Sequence, residues 1–239
     1  MRVVIAVGGS VLAPELSPER IEAYADVLTR VADTDAGDTM AGAGDHGTDV
    51  AVVVGGGQIA RQYIEAARAL DTNEIALDDV GIGVTRLNAR LLAAAVGERA
   101  PQEPPTEYET AARALRRGDL PVMGGAVAGQ TTDAVAAALA EYVGADRLVY
   151  ATSVDGVYDA DPNVDADAQR YDSLTPDELV DVVADVEMRA GSAAPVDLLA
   201  AKLIQRSGLR AVVLDGSDPE AVADAALGGP HDGTDIAPP

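Results

Sequence analysis

The chain has 239 residues, of which 48% are apolar, and it contains no cysteine, tryptophan or phenylalanine. The lack of cysteine excludes disulfides and thiolate metal sites. No run of 18 apolar residues is present, and the opening "MRVVIAVGGS" predicts a short strand rather than a signal peptide. We therefore expect a cytoplasmic protein that does not bind membranes.

The charge of the chain is strongly negative, because 40 acidic residues outnumber 17 basic ones and leave a formal net charge of −23. No basic stripe is available to neutralise phosphates, which argues against duplex nucleic acid as a partner. The acidic residues are spread along the whole chain. This distribution favours adaptation to a high-salt cytoplasm over a surface for a basic partner.

The predicted elements alternate along the chain between short apolar strands and longer helical patterns. The first helix opens with "SPER", in which Ser17 is a predicted N-cap and Pro18 lies in the first turn. This alternation is typical of βαβ units, so we expect a single α/β domain over residues 1–239, a three-layer αβα sandwich around a mostly parallel sheet. Strands are predicted at residues 3–7, 50–54, 120–123, 148–152 and 211–214, and helices at residues 17–32, 57–70, 80–96, 107–117, 132–143, 176–186 and 196–207.

An acidic loop is predicted at residues 33–49, where glycine, alanine and aspartate leave almost nothing to bury. The loop contains Asp45, His46 and Asp49, which raises the question of a metal site. A single imidazole among carboxylates in an exposed loop is a poor ligand set. We therefore predict no protein-bound metal.

Two predicted strands end in glycines, in "VVIAVGGSVL" and in "VVVGGGQIAR". Ligands of open parallel sheets sit beyond the carboxyl ends of the strands, where glycine lets a phosphate approach the backbone and the next helix offers unpaired N–H groups. Arg61 lies one turn into the helix that follows the second glycine turn, where its guanidinium group adds a positive charge with two donor arms. The alternative is that these glycines only make tight turns, but two such turns favour a polyphosphate site.

Known phosphate-binding motifs match poorly. No G-x-x-x-x-G-K-[ST] sequence is present, and although "GGGQIA" fits G-x-G-x-x-A, the acids about twenty residues later, Asp78 and Asp79, follow a helical pattern. A dinucleotide site would need its acid at the end of a second strand. The motifs therefore do not favour a dinucleotide.

Two later segments carry a family resemblance: "GGAVAGQTTDAVAAALAEYVGAD" at residues 124–146 and "YATSVDGVYDADP" at residues 150–162. With the two glycine turns, they resemble the amino-acid kinase superfamily and, within it, the uridylate kinases of archaeal type. The resemblance runs nearly from end to end. It implies transfer of the γ-phosphoryl group of ATP to UMP, with Mg²⁺ carried by ATP, in an enzyme that self-associates as a homohexamer.

The resemblance also implies two sets of binding residues. On the ATP side they are Gly9, Ser10, Gly57, Arg61, Thr152, Tyr158 and Asp161. On the UMP side they are Gly56, Asp78, Ala126, Val127, Ala128, Gly129, Gln130, Thr131 and Thr132.

The chemistry of such a transfer needs no general base, because the second pKa of a nucleoside monophosphate is about 6 and its phosphate is mostly dianionic at neutral pH. It needs two anions held in line and their charge neutralised. The expected catalytic residues are Arg61 and, on the resemblance, Asp133, which would orient cationic groups or water. Asp133 could instead simply cap the N-terminus of its helix.

The chain departs from the family at one position: many relatives have a lysine just before the first glycine turn, and this chain has Ala6 there. Lys202 is the only lysine in the chain, but a surface lysine on a helix is its ordinary explanation. Arg86 and Arg90 lie one turn apart on one predicted helix, where they could reach a phosphate or pair with acids at a subunit contact.

Alternative functions remain within the superfamily. Acetylglutamate, carbamate or isopentenyl phosphate kinases would share the sheet and the ATP side, and a non-catalytic oxyanion-storage protein would share the fold. The isopentenyl phosphate enzymes typically have a histidine after their glycines, and none follows Gly57. Acetylglutamate kinases would have a lysine close to Asp197, where this chain has none.

Overall fold

The computed structural model describes residues 1–34, 47–162, 164–187 and 194–239. Within these ranges the strands are β1 (Arg2–Val7), β2 (Asp49–Val54), β3 (Val122–Met123), β4 (Arg147–Thr152), β5 (Ser173–Leu174), β6 (Ala211–Asp215) and β7 (Gly233–Ile236). The helices are α1 (Gly9–Leu12), α2 (Pro18–Asp33), α3 (Gly57–Arg68), α4 (Glu74–Val96), α5 (Tyr108–Arg116), α6 (Thr132–Val143), α7 (Pro176–Glu187), α8 (Leu198–Ser207) and α9 (Pro219–Leu227). None of the helices in the described ranges is long and apolar enough to cross a bilayer.

The strands form one sheet in the order β3-β2-β1-β4-β6-β7-β5. The first five strands in that order are parallel, and β7 runs antiparallel to β6. Strand β1 lies between β2 and β4, with Val7 opposite both Val54 and Ala151. Because these strands end in register, the turns that follow them meet at one edge of the sheet.

The two faces of the sheet carry separate apolar clusters, as the period of two in a strand requires. Val3, Ile5 and Val7 of β1 pack with α1, α2, α4 and α9. Val4 and Ala6 of β1 pack with α5, α6, α7 and α8 on the other face. The predicted three-layer α/β sandwich with a mostly parallel sheet is confirmed.

Two tyrosines are among the largest fully buried side chains of a core otherwise built from valine, leucine, isoleucine, alanine and methionine. Each hydroxyl has a backbone partner: Tyr24 donates to Gly216 O over 2.6 Å and Tyr150 donates to Asp133 O over 3.0 Å. Burial raises the pKa of both phenols far above the ordinary value of 10. These bonds satisfy the only polar atom of each side chain.

Several element boundaries differ from the sequence prediction. Helix α4 begins at Glu74 rather than residue 80, because the side chain of Asn73 caps it by accepting the Ala76 N–H over 3.1 Å. Strands β5 and β7, of two and four residues, and helices α1 and α9 were not predicted. Of the predicted acidic loop, residues 35–46 lie outside the described residues, while Asp33 ends α2 and Asp49 begins β2.

The acidic surface leads to a prediction about salt. Raising KCl from about 0.1 M to about 3 M shortens the Debye length from about 10 Å to about 3 Å or less, which screens repulsion among the carboxylates. We expect the melting temperature to rise over this range, measured by circular dichroism. A melting temperature that stays constant would contradict the adaptation to high salt.

Candidate active site

The glycine turns after β1 and β2 pack directly against each other. A Cβ added at Gly9 would lie 2.5 Å from both Gly55 O and Gly56 C, and one added at Gly55 would lie 2.7 Å from Gly9 N. Gly57 has φ +62°, and its Cβ would lie 2.5 Å from Gly9 C. The missing side chains therefore first of all allow the backbones of the two turns to contact each other.

Four helices begin in a continuous chain of contacts at this edge. The turn contact brings the starts of α1 and α3 together, and Thr132 Oγ1 lies 3.5 Å from a Cβ placed on Gly55, which adds the start of α6. Thr131 Oγ1 donates a hydrogen bond to Asp197, the N-cap of α8. The first N–H groups of a helix carry partial positive charge, so these helix starts present donors of the kind that bind anions.

The residues predicted for the ATP side lie together. Arg61, Thr152, Tyr158 and Asp161 line one cavity of about 320 Å³. Arg61 Nη2 donates to Ser10 Oγ over 3.1 Å, which joins the two glycine turns through side chains as well. The remaining wall of the cavity is mainly apolar and was not predicted; it includes Val154, Val157, Val182, Val183 and Val186.

The turn that carries Tyr158 is held in place by hydrogen bonds that involve Asp232 and Thr234. Tyr158 OH donates to Asp155 Oδ1 over 2.6 Å, a hydrogen bond that raises the pKa of the phenol. Arg170 bonds both Asp155, at 3.2 Å, and Asp232, at 2.7 Å. Val157 N–H donates to Thr234 Oγ1 over 2.9 Å, so residues from "HDGTDI" fix the turn.

Seven of the nine residues predicted for the UMP side, Ala126 to Thr132, lie on one loop, residues 124–132, which we call the acceptor loop. Of the other two, Gly56 lies in the second glycine turn and Asp78 lies on α4. Asp78 Oδ2 accepts the Gly129 N–H over 2.8 Å, and Gln130 Oε1 accepts from Tyr108 OH over 3.1 Å. Gly129 has φ +83°, a conformation that favours glycine. The middle of the loop is open to solvent, with Val127 56% exposed and Ala126, Ala128 and Thr132 partly buried.

Asp133 is not the cap of its helix. That role belongs to Thr131, whose Oγ1 accepts the Ala134 N–H over 3.1 Å. Burial, and then the negative charge of Asp197, raise the pKa of Asp133 from 3.8 to about 7. A carboxyl group held at such a pKa beside a ligand edge is typical of a functional residue.

Three polar residues of the site were missed by the sequence-based prediction: Thr85, Asn88 and Asp197. Asn88, 4% exposed, donates through Nδ2 to Gly55 O over 2.8 Å, and Thr85 Oγ1 accepts the Gly125 N–H over 2.7 Å. Both lie on the buried stripe of α4. A polar residue on an otherwise apolar helix stripe was the available signal.

Neither Ala6 nor Lys202 supplies a cation to this edge. Ala6 is 5% exposed in the core under α6. Lys202 is exposed on α8, where its Nζ donates to Gln205 Oε1 over 3.2 Å. Gln205 in turn donates to Asp177 on α7, away from the glycine turns.

Replacing Lys202 by alanine is therefore expected to leave turnover within about threefold of the parent, a difference below 1 kcal/mol in the barrier. Steady-state rates at saturating substrates measure this. A larger loss would give Lys202 a part in the chemistry that its position does not explain.

The question of a metal in the acidic loop falls largely outside the described residues, which do not include Asp45 and His46. Asp49 pairs with Arg2 over 2.9 Å at the start of β2. In the described part of the chain, no group of three or more histidine, cysteine, aspartate or glutamate side chains is placed to hold a metal ion.

A larger cavity, of about 810 Å³, lies at the opposite edge of the sheet, beside the start of β1 at Met1 and Arg2. Its lining is mainly polar, and Arg2 and Arg99 there already pair with Asp49 and Asp33. The carboxyl ends of the strands, where parallel sheets bind ligands, are at the other edge. We therefore take the glycine turns as the candidate active site.

The chain belongs to the amino acid kinase family, whose model matches residues 1–215. The uridylate kinase of Haloarcula marismortui is 59% identical over 238 residues, covering 100% of this chain and 99% of that protein. The uridylate kinase of Halobacterium salinarum is 58% identical over 238 residues, covering 100% of this chain and 94% of that protein. The crystal structure of the uridylate kinase from Archaeoglobus fulgidus has a TM-score of 0.85 at 41% identity, with coverage of 99% of this chain and 100% of that one. The resemblance found in the sequence is confirmed.

Proposed function

We propose that this chain is a UMP kinase, which transfers the γ-phosphoryl group of ATP to UMP and releases ADP and UDP. The observation that carries the proposal is that the two predicted nucleotide sites lie side by side at one edge of the sheet. The cavity with Arg61, Thr152, Tyr158 and Asp161 and the acceptor loop both adjoin the paired glycine turns. The full-length similarity to uridylate kinases supports the same substrates.

The ATP side is suited to a nucleotide with its base in the cavity and its phosphates along the glycine turns. The valine wall would contact the adenine ring, and the polar side chains of Thr152, Tyr158 and Asp161 lie on the same cavity for the ribose. Gly9, Ser10 and Gly57 offer backbone N–H groups at the starts of two helices, and Arg61 adds a fixed cation.

The UMP side is suited to an acceptor held by the loop and by Gly56 and Asp78. The monophosphate reaches the edge already deprotonated, so the residues need to hold and align it rather than remove a proton. The first amides of α6, together with Arg61, would stabilise charge that develops during transfer. Asp133 would orient cationic groups and water around the transferred phosphoryl group.

A kinase of this type uses ATP with a divalent metal, and we assign that metal to Mg²⁺ carried by the polyphosphate. When bound, Mg²⁺ neutralises part of the charge on the phosphates. Among the described residues, no group of three or more histidine, cysteine, aspartate or glutamate side chains is placed to hold a metal ion. We further propose a single-domain, cytoplasmic enzyme that works as a homohexamer.

A coupled assay with a panel of acceptors tests the proposal. Turnover with UMP, and none with acetylglutamate, carbamate or isopentenyl phosphate, is the expected result. If only one of the other acceptors is turned over, that acceptor and not UMP is the substrate. No turnover with any acceptor would favour an oxyanion-storage protein, although the relatives described above are all uridylate kinases.

A further inference from the structure

Arg86 of α4 binds the backbone of the acceptor loop. Its Nε donates to Gly125 O over 3.1 Å and its Nη2 donates to Ala126 O over 3.2 Å. Two adjacent carbonyl groups are thereby held by the two arms of one planar guanidinium group. Such a fork fixes both distance and orientation, which a lysine ammonium cannot do.

Thr85, the preceding residue, fixes the start of the same loop. Its Oγ1 donates to Ile82 O and accepts the Gly125 N–H, both over 2.7 Å. A Cβ added at Gly124 would lie 2.6 Å from the carbonyl carbon of Thr85. The loop therefore begins in direct contact with the backbone of α4.

Asn88, one turn further along α4, fixes the second glycine turn. Its Nδ2 donates to Gly55 O over 2.8 Å. The amide is almost completely buried, so the hydrogen bond is shielded from water. Because Gly55 O accepts this hydrogen bond, its partial negative charge is paired with the Asn88 amide of α4.

We propose that Thr85, Arg86 and Asn88 form a positioning element that sets the acceptor loop and the glycine turn at the distance needed for in-line transfer. The inference rests on the proposed function and extends it to residues that need not touch either substrate. Arg86 acts on the UMP side through residues 125 and 126, and Asn88 acts through the turn that both substrates share. The Nε and Nη2 atoms of Arg86 hold two carbonyl groups of the acceptor loop, and we therefore assign Arg86 a positioning role that acts through this loop.

The test compares Arg86→Lys and Arg86→Gln with Arg90→Gln. Arg90 lies on the same helix, one turn along, with its side chain exposed, so it is a matched control for loss of an arginine. We expect both Arg86 variants to raise KM for UMP about tenfold while KM for ATP stays within about twofold, because only the acceptor loop is released. Arg90→Gln should leave both constants unchanged.

Two results would overturn the inference. One is an Arg86→Lys enzyme with the parental KM for UMP, since that would show that charge and not the fork is what matters. The other is a pair of Arg86 variants that behave like Arg90→Gln. Melting temperatures recorded at the same salt concentration separate a kinetic effect from unfolding.

Asn88→Ala supplies a second, independent measurement. We expect it to lower kcat and to raise KM for both nucleotides, whereas the Arg86 variants leave KM for ATP within about twofold of the parent. A change confined to UMP in Asn88→Ala would contradict the assignment of Asn88 to the shared turn. If the parent enzyme itself shows no turnover with UMP, the proposed function fails. Failure of the positioning role is recognised separately, because it leaves parental turnover intact.

Discussion

Replacement of Gly9 by alanine is expected to destabilise the protein by about 3 kcal/mol and to lower its melting temperature by about 6–12 °C, with loss of most of the activity. The added Cβ would lie 2.5 Å from two backbone atoms of the neighbouring turn. Backbone cannot rotate away as a flexible side chain can. The two turns must therefore separate, which also moves Ser10 and Gly57 out of register.

The control for this variant is Gly83→Ala in α4. A Cβ at Gly83 has open space around it, with nothing within 4 Å. Alanine in a helix is favoured over glycine by about 0.5–1 kcal/mol, so this variant should match or slightly exceed the parent in thermal melts. Equal melting temperatures for Gly9→Ala and Gly83→Ala would refute the packing of turn on turn.

Asp133→Asn is expected to lower kcat about a hundredfold, close to 3 kcal/mol in the barrier, with a smaller effect on either KM. The substitution keeps the shape of the side chain, removes its ability to carry charge and replaces one carboxyl oxygen by an NH2 donor group. Because the pKa of Asp133 is about 7 in the folded chain, the parent should gain activity as that carboxyl ionises. The variant should retain only the pH dependence near 6 that comes from UMP itself.

The same variant changes how stability depends on pH. The pKa of Asp133 is raised from 3.8 by burial and by Asp197, so its stabilising effect is complete below pH 3.8 and is lost as pH rises to about 7. Relative to the parent, Asp133→Asn should therefore become more stable by about 2–3 kcal/mol between pH 5 and pH 8, because the parent loses about 1.4 kcal/mol per pH unit until the carboxyl ionises near pH 7. Urea unfolding at fixed KCl measures this difference.

An exposed aspartate provides the comparison. Asp181 lies on the outer surface of α7, so Asp181→Asn should leave kcat and its pH profile as in the parent. A parallel loss in both variants would point to a general effect of surface charge. An Asp133→Asn enzyme with the parental pH profile would remove Asp133 from the catalytic residues.

The glycine turns show how far a sequence can define a site and where it stops. The glycines, Arg61 and the acceptor loop could be recognised locally, because each follows a strand or opens a helix. The contact of Gly9 with Gly57 could not, because it depends on the register of β1 with β2. Distant residues become neighbours only once the sheet is assembled.

The polar residues of α4 illustrate a second limit. From the sequence, Arg86 could reach a phosphate or pair with acids at a subunit contact. Its partners in the structure are instead two backbone carbonyl groups, which a sequence does not display. Asn88 and Thr85 interrupt an apolar stripe, a signal that indicates a buried partner without naming it. Strands β5 and β7 were missed because they are too short for a periodic pattern and are held by the sheet edge.

The chain of helix starts from α1 to α8 bears on the adaptation to high salt that the acidic composition predicts. A mobile lysine at the phosphates could form ion pairs with some of the 40 acidic side chains instead. Dissolved salt would also screen its attraction to the phosphates. The N–H groups at the helix starts cannot turn toward another partner, because the fold fixes their orientation. A site that binds anions mainly through main-chain amides, as we propose for this edge, is therefore compatible with a chain that has a single lysine.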